Sequence, residues 1–269
     1  MSEFVYCLNT STIRPTGLLR KIELAGAAGY QAIELWDDDV TAFYQGGGSQ
    51  DDLERALGDA GLKVVSMIAL GDWLTARGHA YGKMIEVCGK KMDRAAALGS
   101  PYIVASPPQE EVDLDEAAGR FGTLMRLGKE AGIAPAMEFL GFVDGVNTLA
   151  KAWAIVENCG EAGGTIVADV FHMMRGGGSV DDLLLIPGDR LACFHLNDVP
   201  AEPSIATQTD GDRVMLGEGV ADLPRVIRNL RTIGYGGAVS LELFNRELWA
   251  ADAAGVVKMG IERMRGLME

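Results

Sequence analysis

The sequence predicts an α/β fold, a single-domain (β/α)₈ TIM barrel, and three observations carry that expectation. Short apolar runs alternate with helix-type stretches from one end of the chain to the other, the pattern of βαβ units around a parallel sheet. Gly29, Gly61, Gly99, Gly132, Gly163 and Gly234 each stand between a helix-type stretch and the next apolar run, where glycine permits the left-handed turn out of a helix. The length, 269 residues, suits one barrel of about 250 residues. No Gly-x-Gly-x-x-Gly follows the first strand, which disfavours a dinucleotide-binding sheet. No linker or composition break divides residues 1–269.

In chain order, Phe4–Asn9 reads as the first strand and Pro15–Ala28 as a helix, with the proline near its first turn and Gly29 as its C-cap. Ala32–Trp36 is the second strand. Ser49 is a candidate N-cap for a helix that Gly61 ends. Lys63–Ile68 forms the third strand. A longer loop with Asp72, Trp73 and His79 precedes a helix running to Leu98. Tyr102–Ser106 is the fourth strand, halted by Pro107 and Pro108. Leu114–Ala131 is helical, Ala134–Glu138 is the fifth strand, and Thr148–Asn158 is helical. Thr165–Asp169 is the sixth strand, Ser179 starts a short helix, and Leu191–His195 is the seventh strand. The segment 197–219 has no clear period. Leu223–Ile233, Ala238–Glu242 and Ala250–Leu267 then supply a helix, the eighth strand and a last helix.

Composition narrows the function. The net charge of −14 argues against a nucleic-acid partner, because phosphate binding relies on clustered Lys and Arg. No apolar run reaches the roughly 20 residues of a membrane span, and the stretch Met1–Tyr6 has no basic leader pattern. A cytoplasmic protein without a membrane partner is expected. Cys7, Cys88, Cys159 and Cys193 are scattered without a C-x-x-C pair, so reduced buried thiols are expected. Homo-oligomerisation is left open.

Four consecutive strands end on a potential metal ligand: Glu138, Asp169, His195 and Glu242. The C-terminal ends of barrel strands surround one mouth, so these residues meet there. One strand-terminal carboxylate often caps a helix or binds an arginine; four ligand-type residues in succession point to a metal site. Three carboxylates and an imidazole suit one divalent cation, Mn²⁺ first, with Mg²⁺, Co²⁺ or Zn²⁺ as alternatives. Such a cation polarises a carbonyl. Glu138 and Glu242, on opposite sides of a bound substrate, would then act as the catalytic pair that removes and returns an α-proton. His172 faces the same mouth, either donating to a substrate oxygen or supporting the metal site. The triple-glycine runs 46–48 and 176–178 read as turns, since neither has the Lys-Ser/Thr sequel of a phosphate-binding loop. Trp36 and Trp73 lie near the mouth, where stacking and packing are equally open.

The ordered set Glu34-Leu-Trp36, Met137-Glu138-Phe139, Asp169-Val-Phe-His172, His195-Leu-Asn-Asp198, Asp212-Arg213, Gly217-Glu218-Gly219 and Glu242-Leu-Phe244 resembles the xylose isomerase-like barrels grouped as sugar phosphate isomerases/epimerases. The resemblance covers nearly the whole chain. Ser100–Val104 and the Glu242 stretch look closest to inosose isomerases, and Glu242–Asn245 is also similar to 3-dehydroshikimate dehydratases. The resemblance implies metal binding by Glu138, Asp169, His195 and Glu242, with the two glutamates as acid and base. It also implies substrate contacts from Glu34, His172 and Arg213; a mouth salt bridge for Glu34 and a loop-pinning role for Arg213 stay open. The substrate it implies is a small polyhydroxylated carbonyl compound, isomerised or epimerised through an enediolate. Dehydration of a cyclic keto acid or keto-inositol is the alternative. Two departures matter. Endonuclease IV of the same superfamily needs several histidines and Asp-Arg-His after strand seven, whereas this chain has Asp212-Arg213-Val214 and three histidines in all. Ketohexose epimerases usually place an arginine six residues after the strand-seven histidine, where Ala201 stands here.

Overall fold

The computed structural model describes residues 4–269; residues 1–3, part of the stretch read above for a leader, lie outside it. Eight parallel strands close into a barrel in sequence order: β1 Val5–Asn9, β2 Ala32–Trp36, β3 Lys63–Leu70, β4 Tyr102–Ala105, β5 Ala134–Met137, β6 Thr165–Asp169, β7 Leu191–Leu196 and β8 Ala238–Leu241. β1 pairs with both β2 and β8, which closes the ring. Around it run α1 Leu18–Ala28, α2 Asp37–Gln45, α3 Gln50–Asp59, α4 Gly78–Ala97, α5 Leu114–Ala131, α6 Leu149–Asn158, α7 Val170–Arg175, α8 Leu223–Thr232, α9 Arg246–Ala250 and α10 Ala253–Met268. The eight-stranded barrel is the expected one. Among the described residues, no helix is long and apolar enough to cross a membrane. All four cysteines are free and buried.

Alternation along the strands builds two cores. Leu8, Ile33, Leu35, Ile166, Ala168, Phe194, Leu196, Val239 and Leu241 face outward and pack with the helices. Their neighbours Cys7, Ala32, Val167, Cys193 and Ala238 fill the barrel. With a side-chain period of two, Asn9, Glu34, Asp169, His195 and Glu242 continue the inward rows. Position in the alternation, more than polarity, takes these groups into the barrel.

The connections differ from expectation in several places. Residues 37–45, which carry no clear sequence pattern, form α2. Its first turn is tied down from three sides: Asp37 pairs with Arg94, Asp38 with Arg14 and Asp39 with Lys21. Acidic groups at a helix start also favour its dipole. The short helix expected from Ser179 is a 3₁₀ segment, Val180–Leu185, and a separate α7 leaves β6 directly. His79 lies on the first turn of α4, exposed, rather than in a loop. The final helix, expected over Ala250–Leu267, is α10 with Asp252 as its N-cap, and a separate short α9 ends at Ala250 before it. Trp73 is fully buried and donates Nε1–H to the Ser106 carbonyl at 3.0 Å, so it packs rather than stacks on a ligand.

The unpatterned segment 197–219 is organised by one buried carboxylate. Asp198 Oδ1 accepts from Val199 N at 2.8 Å and Ala221 N at 3.1 Å, and Oδ2 accepts from Gly217 N at 2.9 Å and Gly219 N at 3.0 Å. The backbone of Asp198 also bridges to Val214. A Cβ on residue 219 would lie 2.3 Å from Asp198 Oδ1, so the glycine is required by close approach. This clamp closes the loop that carries Arg213. Replacing Asp198 with Ala strands four backbone donors and should destabilise the protein by about 2–4 kcal/mol in urea unfolding. A loss below about 0.5 kcal/mol would show that the loop is held elsewhere.

Candidate active site

The barrel mouth gathers Glu34, Glu138, Asp169, His172, His195, Arg213 and Glu242, all of them buried. His195 is central. Its Nε2 lies 3.1 Å from Glu34 Oε2, and its Nδ1 lies 3.0 Å from Glu242 Oε2 and 3.9 Å from Asp169 Oδ2. Burial alone would depress this imidazole, but the charges of Glu242 and Glu34 override it and hold its pKa well above the ordinary histidine range. Glu34, for which a substrate contact and a mouth salt bridge were both open, forms an ion pair with this imidazole. It is fully buried beneath His195.

Asp169, His195 and Glu242 each offer one ligand atom to a single cluster. His195 Nδ1, although close to Glu242, has no aligned hydrogen-bond partner among the described residues. A buried nitrogen left over between two carboxylate oxygens fits a divalent cation, and the mixed oxygen and imidazole set suits Mn²⁺- or Zn²⁺-type ions. The arrangement also supplies the outer partner that metal-bound histidines require, because Glu34 faces the far nitrogen. Glu138 does not belong to this cluster. Its Oε2 accepts from Ser106 Oγ at 2.6 Å instead. Burial, together with the charge of Glu242, pushes the Glu138 carboxyl up to about 7, against the pull of His195.

Glu242 is the opposite case. Burial would raise it, but His195 and Arg213 hold it well below the usual carboxylate range. The Arg213 guanidinium lies between the Phe171 and Phe244 rings, 5.0 and 5.2 Å from their centroids. Its Nη1 donates to Glu242 Oε2 at 2.6 Å and to Asp169 Oδ2 at 3.1 Å, and its Nη2 donates to Asp210 at 2.5 Å. Arg213 thus joins the cluster directly as well as anchoring its loop. His172 packs among Phe139, Phe142 and Phe171. Burial and the neighbouring Arg213 charge keep it neutral, well below the ordinary histidine pKa.

Four contributors carry no charge pattern that would single them out or lie outside the strand ends. Asn9 donates to both Glu34 and Glu242. Ser106 holds Glu138. Asn197 donates to Asp169 Oδ2 at 2.9 Å and accepts from Phe171 N at 3.0 Å. Asp210 pairs with Arg213. Asn9 and Ser106 do share one signal with the ligands, since each sits at or just past a strand's C-terminal end. A cavity of about 640 Å³ opens beside this site, lined by Pro200, Asp212, Val214, Phe244, Asn245 and Trp249, among others.

Residues 22–267 match the family model described as "Xylose isomerase-like TIM barrel", and the chain belongs to that family. It is 30% identical over 260 residues to the inosose isomerase of Halalkalibacterium halodurans, covering 94% of this chain and 92% of that protein. It is 25% identical over 264 residues to the 3-dehydroshikimate dehydratase of Pseudomonas aeruginosa, covering 96% of this chain but 41% of that longer protein. Among solved structures, the IolI protein with a bound zinc atom superimposes with a TM-score of 0.91 at 26% identity, over 100% of this chain and 98% of that one.

The raised proton affinity of Glu138 has a consequence for stability. The folded protein keeps its proton up to about pH 7, whereas an unfolded glutamate gives it up near 4.5. The stabilisation that comes with the neutral carboxyl is complete below the lower value and is lost as pH rises through the upper one. In metal-free protein, Glu138→Gln should match wild type at pH 4 and gain on it by up to about 3 kcal/mol by pH 8 in urea unfolding. An unchanging difference between the two pH values would place the Glu138 carboxyl in the ordinary range.

Proposed function

We propose that this xylose isomerase-like TIM barrel protein is a divalent-metal-dependent isomerase or epimerase of a sugar or keto-inositol, working by proton transfer next to a carbonyl. Asp169, His195 and Glu242 would hold the cation, with Glu138 completing the set. The bound ion, Mn²⁺ first, supplies Lewis-acid polarisation of the substrate carbonyl.

The observation that carries this reading is the unequal pair of glutamates. Two carboxylates at one mouth, with proton affinities driven apart by their surroundings, are suited to acid and base roles. Glu138, which accepts from the Ser106 hydroxyl in the metal-free protein, takes the α-proton or gives it back. Glu242, held ionised by His195 and Arg213, works from the opposite side of the substrate. The donors fit an enediolate oxygen. Both nitrogens of neutral His172 face N–H groups: Gly141 N is 3.2 Å from Nδ1 and Arg213 Nη2 is 3.0 Å from Nε2. A neutral imidazole carries one N–H and one lone pair, so in either tautomer one donor faces another. A substrate oxygen there would accept the surplus hydrogen bond and stabilise developing negative charge.

The cations near the mouth favour an uncharged substrate over a keto acid. Arg213 is engaged by Asp169, Asp210 and Glu242, Arg175 Nε donates to the Gln208 carbonyl, and Arg14 pairs with Asp38. The one arginine lining the adjacent cavity, Arg246, shares it with Glu202, Asp212 and Glu247. A substrate carboxylate would meet more negative charge than positive. The similarity to inosose isomerases over nearly the full length agrees with an uncharged keto-inositol.

The test is proton NMR in D₂O with Mn²⁺-loaded protein, the ion being removed before spectra are taken. An inosose should gain deuterium beside its carbonyl and keep every hydroxyl. Glu138→Gln should slow exchange by roughly a hundredfold or more, as for loss of a general base, and chelation should abolish it until metal is restored. Elimination of water from 3-dehydroshikimate, with no exchange in inososes or ketoses, would replace the isomerase reading with the dehydratase one.

A further inference from the structure

Asn9 has no part in the chemistry above, yet its hydrogen bonds leave its side-chain amide one orientation. Oδ1 accepts from Ser11 N at 3.0 Å and from Trp36 Nε1 at 2.9 Å. Nδ2 donates to Glu242 Oε1 at 2.9 Å and to Glu34 Oε2 at 3.2 Å. Both amide protons are therefore in use. A flipped amide would set its oxygen against two carboxylates and its NH₂ against two donors, losing all four bonds. Asn9 is fully buried, so no solvent would make up that loss.

We propose that Asn9 is a positioning residue for the metal site and that Trp36 sets it from the mouth. By occupying Glu242 Oε1, the amide turns Oε2 alone towards His195 Nδ1 and Arg213. By occupying Glu34, it steadies the carboxylate on the far side of the same imidazole. One side chain thus fixes the carboxylates on both faces of His195. The indole N–H of Trp36, together with Ser11 N, holds the amide oxygen and so keeps the NH₂ towards the two carboxylates. The indole ring is half-buried at the mouth, with the Arg14 guanidinium 4.4 Å from its centroid and Phe244 edge-on at 5.7 Å. A rearrangement of the Trp36 ring is transmitted through Asn9 to the oxygen that Glu242 presents. This inference rests on the metal-binding reading of Asp169, His195 and Glu242.

The test is titration of the metal-free full chain with Co²⁺, followed by its visible absorption, for wild type, Asn9→Ala, Trp36→Phe and the double variant. Thermal unfolding checks that each folds. Trp36→Phe keeps an aromatic ring beside Arg14 and Phe244 and deletes the N–H together with the five-membered ring that carries it. In Asn9→Ala, Co²⁺ affinity should fall roughly 10- to 100-fold, as when other partners of metal ligands are removed, and the absorption band should change shape. Trp36→Phe should lose about threefold to tenfold, the worth of one neutral hydrogen bond. The double variant should match Asn9→Ala, because Trp36 acts through the amide. Independent, multiplying losses would overturn the role of Trp36, and wild-type affinity and spectrum in Asn9→Ala would overturn that of Asn9. If Asn9→Ala does not fold, Trp36→Phe decides: an altered spectrum supports the inference and an unaltered one defeats it. Wild type that takes up no Co²⁺ would defeat the metal reading itself and this inference with it.

Discussion

An imidazole buried between two carboxylates is the constraint on which the rest of this site depends. His195 has no exposure, with Glu34 on one nitrogen and Glu242 on the other. Ion pairs removed from water are costly unless every remaining donor and acceptor finds a partner. The surrounding residues meet that demand in turn. Asn9 holds both carboxylates, Asn197 holds Asp169, and Arg213 brings the positive charge that three acidic groups require. His195 Nδ1, left without an aligned partner among the described residues, is the atom a cation would take.

Arg213 has to be delivered from outside the sheet, which explains the architecture of the long connection after β7. Asp198 gathers four backbone N–H groups at its entry, Asn245 donates to the Arg213 carbonyl at 3.0 Å, and the Phe171 and Phe244 rings flank the guanidinium. A loop whose regular structure is limited to two short 3₁₀ turns and one bridge is thereby tied to the barrel at several points. The same carboxylate explains why glycine stands at position 219, where any side chain would collide with it.

The two glutamates show how position, rather than residue type, assigns chemistry. Both are buried at the same mouth. Glu242 lies between an imidazolium and a guanidinium and stays ionised. Glu138 receives one hydroxyl, feels the negative charge of Glu242 and retains its proton to about neutrality. Difference in environment is what gives two copies of one side chain unlike proton affinities.

The barrel and the ionisable groups at its strand ends were legible in the chain because both follow from short-range rules: apolar runs of strand length, glycines at helix ends, and the two-residue alternation that sends Asp169, His195 and Glu242 inward. Residues whose meaning lies in a distant partner were not legible. The α2 helix is held by cations from three other segments, and its own sequence carries no helical stripe. Glu34 reads as a mouth residue until the closed barrel places it beneath an imidazole 161 positions away. Asn9 and Ser106 are neutral and unremarkable in one dimension, and only their contacts with Glu242 and Glu138 reveal what they do. Sequence by itself determined the fold and that Glu138, Asp169, His195 and Glu242 share the mouth, since local patterning sets strand direction and facing. Tertiary structure alone decided which group touches which, and so which glutamate keeps its proton, because burial and charge act through space across contacts that the order of residues does not contain.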